Sequence, residues 1–356
     1  MLTRRAFTLS LSAAAGLGAG ARAEQARDRL ALWRNADGPH LRGAVFAQRR
    51  VYQQLDGPTF LGPGLVGPPV SDQALDALAD LGANLAVWSG PGPFSEAKPH
   101  RPDPAIEDHI AAWLETCRQR GLFTVLALRS GPGRSAFAFN RDEDWYPREL
   151  LDESVWRDRS KQEAWAQMVA WMLARFGDHP ACAGVLAMVE PNAETVGEPG
   201  VWPGFAQGIA TACAPVRVAA PLLLSPSGWA DARRADEIAP VLTDDVGLVS
   251  HDWSPHAYTH SGGSRPSSAD IAAPNTKTPA WACLEFGATA SASDRAHFLR
   301  ERIVSLEGAG AGWAAWRWTS GWSVYEAQEN AMNLARDPQA VAVLREAFAQ
   351  NTARPA

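Results

Sequence analysis

The sequence is poor in cysteine, with four in 356 residues. They stand at Cys117, Cys182, Cys213 and Cys283, and this wide spacing matches no zinc-binding pattern. We therefore expect single buried thiols for most of them. A Cys182–Cys213 disulfide bond remains an open alternative in an exported protein.

The chain also lacks the motifs of nucleotide and serine chemistry. The glycine-rich stretch 308–312 follows a predicted helix and precedes a predicted strand, which is the reverse of the order needed for dinucleotide binding. No Lys-Ser or Lys-Thr pair follows it, so a P-loop is excluded as well. Residues 225–228 lack the Gly-x-Ser-x-Gly frame of a hydrolase nucleophile elbow.

Long apolar runs are absent except near the start of the chain. Arg4 and Arg5 precede an apolar stretch, and small residues before Glu24 offer a cleavage site. The stretch is too short to span a membrane as a helix. We predict that residues 1–23 are a twin-arginine-type signal peptide and that the mature protein is periplasmic or secreted.

Positive charge is scarce in the predicted mature chain. Removal of residues 1–23 takes away three arginines and no acids, which leaves 30 basic and 39 acidic side chains, a net charge of −9. This balance argues against nucleic acid or anionic lipid as partners, and after signal removal we expect no membrane association. Tyrosine is also scarce, with 4 Tyr against 15 Trp. Tryptophans at strand ends and in loops are typical of flat stacking surfaces for a ligand.

Eight short apolar runs alternate with amphipathic helical segments. Each run is continuous rather than alternating, which is typical of strands buried on both faces. Eight strand-then-helix units at this length predict a single-domain (β/α)₈ barrel over residues 24–356, with a doubly wound open sheet as the alternative. The predicted strands are 43–47, 84–88, 122–128, 184–190, 218–224, 246–250, 280–285 and 312–318. Predicted helices begin after Ser71, Asp103, Ser293 and Asp337, and others cover 160–176, 203–212 and 230–241.

Two predicted strands end in a single glutamate each. Glu190 closes the fourth strand before Pro191, and Glu285 closes the seventh before Phe286. An ionised carboxylate is costly at the end of an apolar run unless it has a use there. The carboxyl ends of all barrel strands open on one face, so these side chains are expected to meet in one cleft. Other residues placed at the same mouth are Trp88, Arg129, His251, Trp253, His256, Tyr258 and Trp316.

Two carboxylates among aromatic side chains are the equipment for cleaving a glycosidic bond. One carboxyl group must be protonated to assist the leaving oxygen, and the other must be ionised to attack the anomeric carbon or to activate water.

The motifs resemble those of glycoside hydrolase family 5 and its relatives in clan A, which are retaining (β/α)₈ glycosidases. The family's acid/base lies in an Asn-Glu-Pro motif after strand four, and this chain has Val189–Glu190–Pro191. The family's nucleophile lies in a Glu-Phe-Gly motif, which matches residues 285–287. Its His-x-Tyr motif after strand six matches His256 and Tyr258, and its tryptophan after strand eight matches Trp316 or Trp318.

The resemblance implies Glu190 as acid/base and Glu285 as nucleophile, a carbohydrate substrate, and no metal or organic cofactor. Side chains expected to bind or support the substrate are Arg129, His256, Tyr258, Trp88, Trp253, Trp316 and Trp318. Three positions depart from the family pattern. Val189 replaces the asparagine, strand two carries no arginine, and Arg129 stands in place of a histidine after strand three. We predict that Arg129 supplies the positive charge that strand two lacks.

The roles imply a geometry and two pKa directions. A retaining enzyme requires carboxyl groups about 5–5.5 Å apart. Tyr258 is expected to donate a hydrogen bond to Glu285 and, with Arg129, to keep that carboxylate ionised. Glu190 has an apolar neighbour at position 189, so desolvation is expected to raise its pKa.

Two other functions remain open from the residues. The first is a carbohydrate-binding barrel that has kept the pocket without turnover. The second is a barrel hydrolase of different chemistry that uses Arg129 and the histidines. A metal site at His251, His256 and His260 is disfavoured, because no carboxylate stands at ligand spacing beside them in the sequence.

Overall fold

The computed structural model describes residues 29, 31–33, 40–216, 220–243, 245–264, 266–271, 280–318, 326–328, 331–333 and 337–356. The predicted signal peptide lies outside the described residues. Within them, no helix is both long and apolar enough to cross a membrane.

Eight parallel strands close into a barrel in chain order, which confirms the predicted (β/α)₈ architecture. The first strand pairs with both the second and the eighth, so the ring has no free edge. The strands are β1 (Arg42–Ala47), β2 (Leu85–Pro91), β3 (Thr124–Ser130), β4 (Cys182–Leu186), β5 (Leu222–Leu224), β6 (Val246–Asp252), β7 (Trp281–Phe286) and β8 (Gly312–Ala315). Two small antiparallel ribbons join Arg49–Arg50 to Val66–Gly67 and Glu326–Gln328 to Ala331–Asn333.

Three helices begin where local capping chemistry predicts them, whereas the helix predicted after Ser293 begins at Arg295, after Asp294, without a side-chain cap. Ser71 accepts a hydrogen bond from the Ala74 amide at the start of its helix, and Asp103 and Asp337 cap helices whose first residue is proline. The α-helices are α1 (Gln53–Phe60), α2 (Asp72–Asp80), α3 (Pro104–Gln119), α4 (Arg159–Phe176), α5 (Val201–Cys213), α6 (Ser227–Ala230), α7 (His256–Ser261), α8 (Ser268–Ile271), α9 (Arg295–Gly308) and α10 (Pro338–Phe348). Shorter 3₁₀ segments cover Ala136–Phe139, Arg148–Leu150, Ser154–Trp156, Ala193–Val196 and Ala232–Val241.

Two apolar cores hold the barrel together. The larger core lies between the strands and the surrounding helices, and the smaller one fills the barrel interior. Alternation along β2 shows the division, since Leu85 and Val87 belong to the inner core while Ala86 and Trp88 belong to the outer one. All four cysteines are buried and none forms a disulfide bond, so the Cys182–Cys213 alternative is not realised.

A register shift in β7 decides where one of the glutamates points. Ala282 and Leu284 lie in the inner core and Cys283 in the outer one, so strict alternation would turn Glu285 outward. The pairing with β6 instead skips one residue of β7, from Ser250 opposite Cys283 to His251 opposite Glu285. Such a β-bulge re-aims the following side chain. Glu285 therefore turns into the mouth of the barrel.

Candidate active site

A cleft of about 1900 Å³ opens at the carboxyl ends of the strands. Glu190 and Glu285 both line it, and each is buried, with 7% and 3% of its surface exposed. Aromatic side chains form much of the surrounding wall, namely Phe139, Trp145, Trp229, Trp253 and Trp316. Aromatic faces next to buried carboxylates are suited to holding a sugar ring.

The loop after β4 holds Glu190 in a strained backbone conformation. Its φ is 49°, in the left-handed region that residues other than glycine rarely adopt. Arg134 fixes this turn from below, because it donates hydrogen bonds to the carbonyls of Val189 and Glu190 at 2.6 and 2.9 Å. A third hydrogen bond joins Arg134 to the side-chain oxygen of Asn192. The pKa of Arg134 is lowered to about 9 by burial and by the charge of Arg129.

Arg129 at the end of β3 is the nearest cation to Glu285. Its Nη1 lies 3.3 Å from Oε1 of Glu285 and donates to the hydroxyl of Ser89 at the same distance. The guanidinium lies over the ring of Phe139, with its carbon 3.8 Å from the ring centre. Arg129 is therefore close enough to Glu285 to supply the positive charge that strand two lacks, as the sequence predicted.

His251 at the end of β6 bridges the two carboxylates. Its Nδ1 lies 3.0 Å from Oε1 of Glu190 and 3.4 Å from Oε2 of Glu285. One carboxylate oxygen of Glu190, one of Glu285 and the imidazole nitrogen all lie within 4.8 Å of one another. Trp253 adds a second contact to Glu190, with its Nε1 3.4 Å from Oε1.

These contacts give the two glutamates opposite proton affinities. Burial works to raise the pKa of Glu190, but the hydrogen bond and charge of His251, with help from Arg129, bring it below its ordinary value. Burial raises the pKa of Glu285 to about 7; the charge of Glu190 also raises it, while His251 and Arg129 oppose. Burial works to lower the pKa of His251, yet the two carboxylates raise it.

The predicted pKa directions are therefore wrong for both glutamates. The apolar neighbour Val189 packs into the barrel interior and does not isolate Glu190, because His251 and Trp253 reach its carboxylate from β6 and the residues after it. Glu285 lacks the expected hydroxyl donor. The single proton of the Tyr258 hydroxyl goes to the carbonyl of Ser293 at 2.6 Å.

The predicted hydrogen bond from Tyr258 to Glu285 is wrong because the His-x-Tyr motif was assigned to residues beyond the strand end. His256 and Tyr258 lie on helix α7, where the Tyr258 ring is buried beside Phe298. The strand end itself carries His251–Asp252–Trp253, which has the same spacing of histidine and aromatic residue. His256 still lines the cleft, stacked against His260 with ring centres 3.7 Å apart.

The predicted aromatic residues divide between the cleft and the core. Trp253 and Trp316 line the cleft, as predicted. Trp88 and Trp318 are buried in the outer core, where their Nε1 groups donate to Gln48 and to the carbonyl of Ala74. Trp88 points away from the cleft because side chains alternate along β2, and Ser89 is the residue that faces Arg129.

Several residues of the site were not predicted from the sequence. Arg134 and Phe139 lie in the long segment after β3, and Ser89 is an ordinary strand residue. Arg317 follows Trp316 and lines the cleft, with its pKa lowered by burial and by the charge of Arg129. The length of the loop after β3 was a signal for function, but it did not indicate which side chains turn inward.

The Glu190–His251–Glu285 cluster also has donor atoms close enough to hold a metal ion. The charges of Arg129 and Arg317 both act on Glu285 and oppose a further cation beside it. The absence of a metal cofactor thus stays a prediction.

No protein-family model matches the sequence, and no curated protein matches it either. Solved structures match its fold. A crystal structure of a glycoside hydrolase has a TM-score of 0.67 at 15% identity, covering 86% of this chain and 99% of that one. A hyperthermophilic endo-β-1,4-glucanase in complex with substrate has a TM-score of 0.62 at 12% identity, with 89% and 99% covered. Cel5A of Thermotoga maritima in complex with mannotriose has a TM-score of 0.64 at 12% identity, with 90% and 99% covered. In fold, therefore, the chain is similar to glycoside hydrolases and endoglucanases along nearly their whole length.

Proposed function

We propose that the protein is an exported retaining glycoside hydrolase that cleaves β-linked oligo- or polysaccharides. The observation that carries the proposal is the pair of glutamates at the mouth of a barrel cleft, with one carboxylate oxygen of Glu190 within 4.8 Å of one carboxylate oxygen of Glu285. Retaining glycosidases need carboxyl groups about 5–5.5 Å apart, whereas inverting ones need about 6.5–9.5 Å to admit a water. The likeness in fold to an endo-β-1,4-glucanase supports a β-linked substrate.

In the first step Glu190 gives a proton to the leaving oxygen while the carboxylate of Glu285 attacks the anomeric carbon. The bond to the leaving group breaks, and a glycosyl ester forms on Glu285. In the second step Glu190 takes a proton from water, and the resulting hydroxide displaces Glu285. Two inversions at the same carbon leave the configuration of the product unchanged.

His251 supplies the protonation state that this sequence of steps requires. The hydrogen bond and charge of His251 lower the pKa of Glu190, and the two carboxylates raise the pKa of His251, so the imidazole 3.0 Å away is placed to pass a proton to Glu190. A sugar that displaces water from the cleft favours the neutral pair, in which Glu190 holds that proton. Glu285, with its pKa of about 7, is half ionised near neutral pH and becomes mostly ionised above it.

The roles are tested with Glu190→Ala and Glu285→Ala on two aryl β-glycosides whose leaving groups differ in pKa. Loss of Glu190 is expected to cost about 10²–10⁴ in rate for the poor leaving group and much less for a nitrophenolate, which departs with little protonation. Loss of Glu285 is expected to abolish turnover of both, because the glycosyl ester has no other carrier.

Azide distinguishes the two glutamates a second time. In Glu190→Ala it is expected to replace water and give a product of retained configuration, and in Glu285→Ala it is expected to give an inverted one. If Glu285→Ala gave a product of retained configuration, or turned over the nitrophenyl substrate normally, the assignment of Glu190 as acid/base and Glu285 as nucleophile would be reversed or wrong. A wild-type protein that binds oligosaccharides but turns over none of a broad panel would instead be a carbohydrate-binding barrel. A turnover lost only with Arg129 and the histidines would identify another chemistry.

A further inference from the structure

The floor of the cleft carries more positive charge than its two glutamates balance. Arg129 and Arg317 both act electrostatically on Glu285, and Arg134 lies beneath Glu190. The hydrogen bonds of Arg134 go to two carbonyls and one amide oxygen, and none of them goes to a carboxylate. Two guanidinium groups therefore line the cleft beside the two glutamates and a third is buried beneath Glu190, while one of these glutamates must be protonated for acid catalysis.

Three further pairs of opposite charge lie at the cleft wall. Asp252 forms a buried ion pair with Arg302, Arg233 binds Asp231 at 2.8 Å, and Arg49 binds Asp56 at 2.5 Å. Two exposed acids, Asp236 and Asp270, also line the cleft, and water solvates them there. The buried positive charge therefore lies on the floor, around Arg129 and Arg317.

Arg317 has little support from the described residues around it. Its Nε is buried without a hydrogen-bond partner among them, and the nearby Glu285 forms its ion pair with Arg129. The charges that act on Arg317 are those of Arg129, which repels it, and Glu285, which attracts it. Two like charges buried close together are costly unless an anion enters between them.

Arg129 has N–H groups left to bind the same anion. Its hydrogen bonds to Ser89 and Glu285 both leave from Nη1, and its guanidinium carbon lies 3.8 Å from the centre of the Phe139 ring. A guanidinium fixed in this way presents its remaining N–H groups in a planar fork that matches a carboxylate.

From this cluster we infer that the substrate is an acidic glycoside, with a sugar carboxylate that binds between Arg317 and Arg129 next to the cleaved bond. The inference rests on the proposed glycosidase function and specifies its substrate class. A uronic acid differs from the neutral sugar only in this carboxylate, so matched pairs of substrates isolate the effect.

The experiment compares 4-nitrophenyl β-glucoside with β-glucuronide, and the galactoside with the galacturonide, in wild type, Arg317→Gln, Arg317→Lys and Arg233→Gln. In the wild type kcat/KM is expected to favour the acid of at least one pair by about 10- to 100-fold. Arg317→Gln is expected to remove most of this preference. Arg317→Lys is expected to keep part of it, because the charge remains but the fork is lost.

Arg233→Gln is the matched control, since it removes a cleft arginine that Asp231 already pairs. It is expected to leave the acid-to-neutral ratio within about twofold of the wild type. A neutral partner cleaved as well as the acid, with Arg317→Gln acting equally on both, would overturn the inference and leave the glycosidase function standing. Preference for a 6-sulfated aryl glucoside over both partners would also overturn it, because the site would then take a sulfate.

A binding measurement separates failure of this inference from failure of the proposed function. Free glucuronate and galacturonate are compared with glucose and galactose as ligands that raise the melting temperature of the wild type and of Arg317→Gln. If no pair is turned over, stabilisation by an acid in the wild type alone would support the anion site in a non-catalytic barrel. Equal behaviour of acids and neutral sugars would overturn it.

Discussion

Glu190 and Glu285 face the same cleft, but the two strand ends hold them differently. Glu190 accepts hydrogen bonds from His251 and Trp253, and its backbone is held by Arg134. Glu285 has a 3.3 Å contact with Arg129 and a longer approach to His251. Both carboxylates are almost fully buried, so burial alone does not distinguish them. The difference in proton affinity comes from the donors, and donors arrive from other strands.

The largest expected effect breaks the support beneath Glu190. Arg134→Gln would leave the buried carbonyls of Val189 and Glu190 without their donor, and the strained turn without its anchor. We expect a loss of about 3 kcal/mol in the free energy of unfolding and a fall of about 10² in kcat. Denaturant unfolding and kinetics on a nitrophenyl glycoside measure both.

The control for Arg134 is Arg157→Gln, which changes an exposed arginine paired with Glu198. It is expected to change the unfolding free energy by less than about 1 kcal/mol and to leave the rate constant unaffected. Equal effects of the two substitutions would show that Arg134 has no special part in holding Glu190.

A smaller effect is expected on the pH dependence of kcat/KM when His251, which contacts both glutamates, is replaced. His251→Asn keeps an N–H donor near the position of Nδ1 and removes the positive charge. Because that charge lowers the pKa of both glutamates, both should rise, and the acid limb of the kcat/KM profile should move from about 7 to higher pH. We also expect kcat/KM at its optimum to fall by about 10².

The matched change is His260→Asn, which removes another imidazole from the same cleft. Burial lowers the pKa of His260 below its ordinary value, away from the acid limb, so its loss should leave that limb in place. A profile that does not move in His251→Asn would separate His251 from the titration of the glutamates.

The smallest expected effect is a change in thermal stability when Glu285 is replaced by glutamine. The folded pKa of Glu285, about 7, lies above the unfolded value of about 4.3, so this group destabilises the fold increasingly as pH rises from about 4 to 7. Glu285→Gln is therefore expected to raise the melting temperature at pH 8 on the order of 2 °C and to give no gain at pH 4.

Glu190→Gln should act in the opposite direction. The lowered pKa of Glu190 stabilises the fold above the unfolded pKa, and this contribution is lost as pH falls through the folded value. The substitution is expected to lower the melting temperature at pH 8, with the deficit shrinking in acid. Shifts of the same sign in both variants would remove the distinction between the two strand ends.

Much of the barrel and part of its mouth could be predicted from local pattern. Continuous apolar runs such as those around Val87 and Val125 indicated strands buried on both faces, and caps such as Ser71 and Asp103 marked helix starts. Strand-end position placed Glu190, Glu285 and Arg129 at one mouth, because parallel strands in a barrel all end there.

The sequence by itself thus determined the architecture and the identity of the two facing carboxylates, since both follow from the order and ends of the apolar runs. The tertiary structure decided which side chains reach them. The bulge in β7 turned Glu285 inward, alternation turned Trp88 outward, and the β6 end brought His251 between the glutamates. Proton affinity and net charge in the cleft depend on these contacts within a few ångströms, and residues far apart in the chain supply them. For that reason the roles of Arg134 and Arg317 could not be predicted from the sequence and were found only in the folded barrel.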